Sequence, residues 1–357
     1  MCLNRVRGGP LDIIATEPES DRTWRTWQGE PALQNHTKNV RSLSLTARTS
    51  KPIDWTIHWL YNLKQLCCLQ ELSVTFVRNG VPAPASINTS PPAGIPLDLG
   101  PVANQLHTLR LQKVNANWSG CTFNKLCILK LSDISELNSS KLWHILACSP
   151  TLQFLELART LVLPRGPKSE PILRPNLKTI HLCYLHELSI GTILDMFAPG
   201  TYNIELYLDS VSISSQRARR KDIPDLACII RRVADNITIL GVSSTEVLGQ
   251  LSTAFTVALK DLETLCLEDI KLPAVGLARV EETINKLPHI KTIRVVRAKT
   301  TDTKAFKDML QRCSAERRIE LVDSWAVSAG KEHRIGPETL LCEWILTYAP
   351  NVSFPQG

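Results

Sequence analysis

The chain has 357 residues, 43% hydrophobic and 21% charged, with 41 basic and 34 acidic side chains for a net charge of +7. That balance excludes a disordered or fibrous protein, and the length suits one large domain or two ordinary ones with a core that needs no staples. The charge lies in short clusters rather than on one long basic run, which argues against a dedicated nucleic-acid binder, so none is expected as a partner.

Apolar runs fall short of the roughly 18 residues a spanning helix needs. The opening MCLNRVRGGPLDII carries no apolar stretch of signal-peptide length. The cysteines number 11, an odd count with no Cys-x-x-Cys pair, which fits neither a zinc cluster nor a disulfide framework. They read as reduced, mostly buried small hydrophobes, Cys148 and Cys313 among them near helix ends. The expected location is cytoplasmic or nuclear, with no membrane partner. The Asn-x-Ser/Thr triplets at Asn35, Asn88, Asn117, Asn138, Asn236 and Asn351 are then expected to stay unmodified.

In chain order, the Gly8-Gly9-Pro10 triplet leads into a strand-like stretch, LDII, and so cannot open a phosphate-binding helix. From Val40 one phrase recurs: aliphatic, two others, aliphatic, one other, aliphatic. It reads VRSLSL from Val40, LQELSV from Leu69, LHTLRL from Leu106, LCILKL from Leu126 and LQFLEL from Leu152. It continues as LKTIHL from Leu177, ITILGV from Ile237, LETLCL from Leu262 and IKTIRV from Ile290, with poorer copies at NIELYL and RRIELV. Successive starts lie mostly within or near the 20–29-residue period of leucine-rich repeats. Proline stands two residues before the phrase at Pro150, Pro175 and Pro288, and before Val352 at Pro350, where it suits a chain leaving a helix for an extended segment.

Helical spacing precedes several copies: Trp55, Trp59, Leu60, Leu63 and Leu66; Leu142, Ile145 and Leu146; Ile229, Ile230 and Val233; Val280, Ile284 and Leu287; and Leu340, Leu341, Trp344 and Ile345. The tryptophans Trp59, Trp143 and Trp344 are read as core rather than as a stacking platform for bases. Strand and helix alternating in this way predict an α/β leucine-rich-repeat solenoid of the ribonuclease-inhibitor kind, with parallel strands on the concave face and helices outside. Residues 1–39 precede the repeats, and 40–357 form them. Val81–Pro101 interrupts them as a Pro-rich surface loop, or in a sharper reading a short recognition motif, and Leu163–Pro175 resembles a shorter loop. The basic run from Arg217 to Lys221 reads as a solvated loop, with nuclear localisation as the alternative.

No Gly-x-Gly-x-x-Gly, Walker loop, Gly-x-Ser-x-Gly or His-Glu-x-x-His motif is present, so no enzyme, cofactor or metal is expected. His181 and His186, the closest histidines, sit five apart on a strand-to-turn segment and do not share a face. What remains is the outward face of the sheet, at the third, fifth and seventh positions of each copy. It reads Thr108, Arg110, Gln112; Ile128, Lys130, Ser132; Phe154, Glu156, Ala158; Thr179, His181, Cys183; and Glu205, Tyr207, Asp209. Mixed charge with aromatics marks a protein-binding face, basic at Arg110 and Lys130 and acidic at Glu205 and Asp209. The expected contacts are Arg110, Lys130, Phe154, Glu156, His181 and Tyr207.

The helix–Pro–strand phrases LWHILACSPTLQFLELAR from Leu142 and TINKLPHIKTIRVV from Thr283 resemble the leucine-rich-repeat part of fungal F-box proteins. LNRVRGGPLDIIAT is similar to the segment after the F-box in such proteins, where a Pro-Leu-Asp phrase opens the first strand. The resemblance implies the substrate-recognition arm of a Skp–cullin–F-box ubiquitin ligase, which presents a target and performs no chemistry. The F-box itself, a helical segment opening with Leu-Pro, is not found before Leu11, so a Skp adaptor is expected only if one lies upstream. The alternative is a free-standing scaffold or inhibitor unconnected to ubiquitin. The asparagine of better-known leucine-rich repeats is absent too: the ninth position holds Val114, Ile134, Thr160, Leu185 and Ile270.

Overall fold

The computed structural model describes residues 9–17, 39–48, 68–77, 96–135, 137–164, 170–173, 175–198, 202–209, 234–245, 247–248, 259, 262–287, 289–328, 331–335, 340–349 and 351–354. The chain divides into two compact units, Met1–Lys178 with Asp195–Gly200, and Thr179–Leu194 with Thr201–Gly357.

In the first unit the strands are β1 (Leu11–Thr16), β2 (Val40–Ala47), β3 (Glu71–Phe76), β4 (Leu97–Asp98), β5 (Thr108–Gln112), β6 (Ala116–Asn117), β7 (Ile128–Ser132) and β8 (Phe154–Ala158). β1, β2, β3, β5, β7 and β8 pair in that order, every pair parallel, while β4 and β6 pair with each other. The second unit holds β9 (Thr179–Cys183), β10 (Asn203–Leu208), β11 (Ile237–Val242), β12 (Thr264–Glu268), β13 (Lys271–Leu272), β14 (Thr292–Val296), β15 (Lys299–Thr300), β16 (Arg318–Val322), β17 (Trp325–Ser328), β18 (Lys331–Arg334) and β19 (Val352–Ser353). Here β9, β10, β11, β12, β14, β16 and β19 form the parallel sheet. β13, β15, β17 and β18 form a second sheet, antiparallel only between β17 and β18.

Every copy of the aliphatic phrase falls on a strand of parallel sheet. The reason is the period of two: the fourth and sixth positions point one way and vanish from solvent. Leu109, Leu111, Leu129, Leu131, Leu155 and Leu157 are buried in the first unit, and Ile180, Leu182, Leu265, Leu267, Ile293 and Val295 in the second. Each such side chain contributes about 1.5–3 kcal/mol by leaving water.

The strands end in a repeated turn. Lys113, Asp133, Arg159, Tyr184, Asp269, Arg297 and Asp323 each follow a strand directly, and each takes a positive φ between 46° and 56°. This left-handed conformation turns the chain off the sheet, and its N–H completes the ladder. Lys113 N donates to Ser132 O, Asp133 N to Ala158 O, Tyr184 N to Tyr207 O, Asp269 N to Val296 O and Arg297 N to Val322 O. The next residue is buried each time: Val114, Ile134, Thr160, Leu185, Ile270, Ala298 and Ser324. Where that residue carries a hydroxyl, it holds the turn. Thr160 Oγ1 accepts from Ile134 N at 3.2 Å and donates to Ala158 O at 2.9 Å, and Ser324 Oγ donates to Val295 O at 3.0 Å.

The strand starts carry a second ladder, in which a polar side chain bonds a carbonyl of the preceding repeat. Asn176 Nδ2 donates to Pro150 O at 3.2 Å, Asn236 Nδ2 to Tyr202 O at 2.9 Å, and Asn351 Nδ2 to Ser314 O at 2.6 Å. Asn236 and Asn351 belong to the Asn-x-Ser/Thr triplets, so their amides are occupied in holding the fold.

The described helices are α1 (Ser139–Ala147), α2 (Glu187–Leu194), α3 (Ala274–Lys286), α4 (Thr303–Ser314) and α5 (Leu340–Tyr348). Asn138 caps α1 by accepting from Lys141 N at 2.9 Å, and Asp302 caps α4 by accepting from Ala305 N at 2.9 Å. α1 buries Leu142, Ile145 and Leu146 at helical spacing, as the sequence predicts, and α3 buries Leu277, Val280 and Ile284. The helices predicted around Trp55–Leu66 and Ile229–Val233 lie outside the described residues, as do Pro288, Pro350 and the basic run from Arg217 to Lys221. No described helix is long and apolar enough to cross a membrane.

Four expectations need correction. Of Val81–Pro101, residues 96–101 are described, and there Leu97 and Leu99 are fully buried while β4 pairs with β6, so this end is core rather than surface loop. Within Leu163–Pro175, Leu163 bridges Asn138 and the buried Ile172 bridges Phe197, so the stretch is anchored at both points. Trp143 and Trp344 are half-exposed rather than core: the Trp143 indole donates to Glu170 O at 3.0 Å, and Trp344 stacks on Tyr348 at 5.4 Å. Among the described tryptophans the buried one is Trp118, beside Phe123, in the short helix-free link between β5 and β7. Among the described cysteines, Cys121, Cys266 and Cys313 are buried, whereas Cys127, Cys148 and Cys183 are half-exposed and Cys68 is exposed.

Candidate functional site

Parallel pairing in register brings the outward residues into rows across the strands. In the first unit one row runs Ser44, Ser73, Arg110, Lys130, Glu156. The rows beside it run Ser42, Glu71, Thr108, Ile128, Phe154, and Thr46, Thr75, Gln112, Ser132, Ala158. Opposite charges on neighbouring strands attract, and Lys130 Nζ lies 2.7 Å from Glu156 Oε2. The same ammonium sits 4.9 Å from the centre of the Phe154 ring, so Lys130 is held between two residues of β8. Arg110 is exposed and forms no ion pair with any described residue. On the sequence-predicted basic side, Lys130 is therefore neutralised by Glu156, while Arg110 meets no acid among the described residues. Thr108 and Ala158, read as outward, are buried and present nothing to a partner.

In the second unit His181 and Tyr207 meet edge to face, their ring centres 4.8 Å apart. His181 Nε2 also lies 2.9 Å from Cys183 Sγ, two residues along the same strand. These two donors fall short of a metal's set, and among the described residues no group of three or more His, Cys, Asp or Glu side chains converges. The Tyr207 ring packs against the backbone of β11 at Gly241. A Cβ there would stand 2.2 Å from Tyr207 Cδ1, so only glycine fits beneath the ring. Next in the row is Cys266, outward-facing yet only 2% exposed. Burial, reinforced by Glu268, pushes its thiol up to about 12, while Arg294 and Arg297 oppose the shift.

The rest of this face is paired charge. Arg297 binds Asp269 bidentately at 2.8 and 2.9 Å and reaches Glu268 as well. Glu268 also accepts from the Tyr184 hydroxyl, which burial and this carboxylate together push upward. Glu320 is shared by Arg294 at 3.0 Å and Arg318 at 3.1 Å. Glu205 stands in register with His181, half-exposed, and meets no cation among the described residues.

The six expected contacts thus fall four to the first unit (Arg110, Lys130, Phe154, Glu156) and two to the second (His181, Tyr207). Within the first unit the structure clusters Lys130, Phe154 and Glu156, and within the second His181 with Tyr207. Sequence reasoning missed Tyr184, Gly241, Cys266, Glu268, Arg294 and Glu320. Carrying the outward positions forward through ITILGV, LETLCL and IKTIRV reaches Gly241, Cys266, Glu268 and Arg294.

No family model matches the chain, and no curated protein matches it. Among solved structures it is similar to the crystal structure of a protein from Bacteroides fragilis, at 11% identity and a TM-score of 0.41, over 87% of this chain and 74% of that one. A likeness of that degree carries nothing about activity.

Proposed function

We propose that the chain is a binding protein that takes a protein partner on the outward faces of its parallel sheets and performs no covalent chemistry. The reading is carried by one observation: Lys130, fixed between Phe154 and Glu156, borders the exposed Arg110, which meets no acid among the described residues, in a single row of the first unit. A preordered aromatic and ion-pair group beside an available guanidinium has the make-up of an interface anchor, since little side-chain entropy remains to be lost on binding. The resemblance of its repeat phrases to fungal F-box proteins supports a leucine-rich-repeat solenoid and the role of a ubiquitin-ligase substrate receptor in the cytoplasm or nucleus.

The test is quantitative affinity enrichment from host extract with the wild-type chain, Arg110→Glu and the double variant Arg110→Glu/Lys130→Glu. Partners are expected to be lost from the double variant while its thermal melting shows it folded. Retention of every partner by the folded double variant would sink the face assignment. A Skp adaptor in the wild-type complex supports the receptor role, and partner without Skp selects the free-standing scaffold.

A further inference from the structure

We infer that the second unit's sheet face takes a cationic side chain, an arginine or lysine from an extended basic segment of the partner, seated on Tyr207 against Glu205. This rests on the binding role proposed above and adds the chemistry of what is bound.

Charge complementarity points to the cation. Of the other carboxylates described around this face, Glu268 and Asp269 are matched by Arg297, Glu320 by Arg294 and Arg318, and Asp209 is not free either. Glu205 is half-exposed and meets no cation among the described residues. It lies two residues before Tyr207 on β10, on the same side of the strand. An arriving guanidinium or ammonium therefore finds a carboxylate and an aromatic ring within one side-chain length of each other, the pair that recognises cations.

The ring is fixed in advance. Gly241 leaves the space it occupies on β11, and the His181 ring packs on it from β9. Burial is the main cause pushing the Tyr207 hydroxyl up, with Cys266 next and then the negative charge of Glu205 and Glu268. An acidic segment would be repelled here and would find its cation at Arg110 in the first unit. The chain as a whole carries +7, so attraction of a basic segment is a property of this face and not of the protein's net field.

The experiment uses the full chain and fluorescence anisotropy with a labelled probe, Gly-Ser-Gly-Arg-Gly-Arg-Gly-Ser, beside versions carrying glutamate or citrulline in place of arginine. The arginine probe is expected to bind with salt-sensitive affinity, and the other two to bind at least about tenfold more weakly. Glu205→Gln should weaken the arginine probe by a similar factor. Tyr207→Phe, which keeps the ring, should retain it. No binding of the arginine probe, equal binding of the glutamate probe, or full binding by folded Glu205→Gln would each overturn the inference. Partner capture that depends on Arg110 and Lys130 while the arginine probe fails would leave the binding role standing and remove this assignment alone.

Discussion

The two units repeat the same backbone and finish their open faces differently. In the first, the outward rows carry several hydroxyls around the Lys130–Glu156 pair, and Arg110 meets no acid among the described residues. In the second, outward Gly241 and Cys266 are buried beside the ring of Tyr207, Arg294 and Arg297 are matched to acids, and Glu205 meets no cation among the described residues. The inward leucines are alike in both, so the fold sets the spacing of the rows and leaves their chemistry to the alternate residues. One scaffold can thus present an available cation in one place and an available anion on an aromatic floor in another.

The largest effect should come from what the units share. Leu129→Ala in the first and Leu265→Ala in the second each remove a fully buried side chain and should cost about 2–5 kcal/mol in urea unfolding. A cost below about 1 kcal/mol at either would show that its inward row is not tightly packed. The aromatic floor comes next. Gly241→Ala should cost about 1–3 kcal/mol by displacing Tyr207, and adding Tyr207→Ala should recover part of it in a double-mutant cycle. Strict additivity of the two changes would mean the ring does not depend on the glycine.

The buried thiols sharpen the contrast through pH. Cys266 is pushed up to about 12 and Cys121 to about 11, chiefly by burial, whereas an unfolded cysteine ionises near about 8.5. Each thiol's stabilising contribution is therefore complete below the unfolded value and is lost as pH rises toward the folded one. Melting curves from pH 8 to 11 should fall less steeply for Cys266→Ala than for wild type. Parallel curves would remove the thiol from the alkaline loss. The smallest effect belongs to Lys130→Ala, which should change stability by less than about 1 kcal/mol, because the pair with Glu156 is partly solvated. A larger loss would mean that the Phe154–Lys130–Glu156 group supports the sheet.

The strands were legible because Leu109 and Leu111, or Leu265 and Leu267, must alternate with polar residues to bury one face, and that period shows in the letters. The turns were not. Lys113, Arg159, Tyr184 and Asp269 share a backbone conformation and no side-chain chemistry, so nothing in composition announces the left-handed residue. β13 and β15 are two residues long, too short for any period to register. Trp118 and Phe123 lie in a link without helix, where burial follows from the neighbouring repeats rather than from local spacing. Of the candidate sites, the outward positions could be enumerated, but the pairing of Lys130 with Glu156 and the glycine beneath Tyr207 depend on register between strands 26 and 34 residues apart.

The left-handed residue after each strand also makes the chain divisible. Asp133 and Arg159 occupy the same backbone state one repeat apart, each followed by a buried side chain, Ile134 and Thr160. Excising Ile134 through Arg159 would join Asp133 to Thr160 with both conformations already correct, removing one rung and leaving its neighbours the same turn. Growth and loss of such a protein by whole rungs then needs only recombination between equivalent turns, whatever side chains the departing rung displayed.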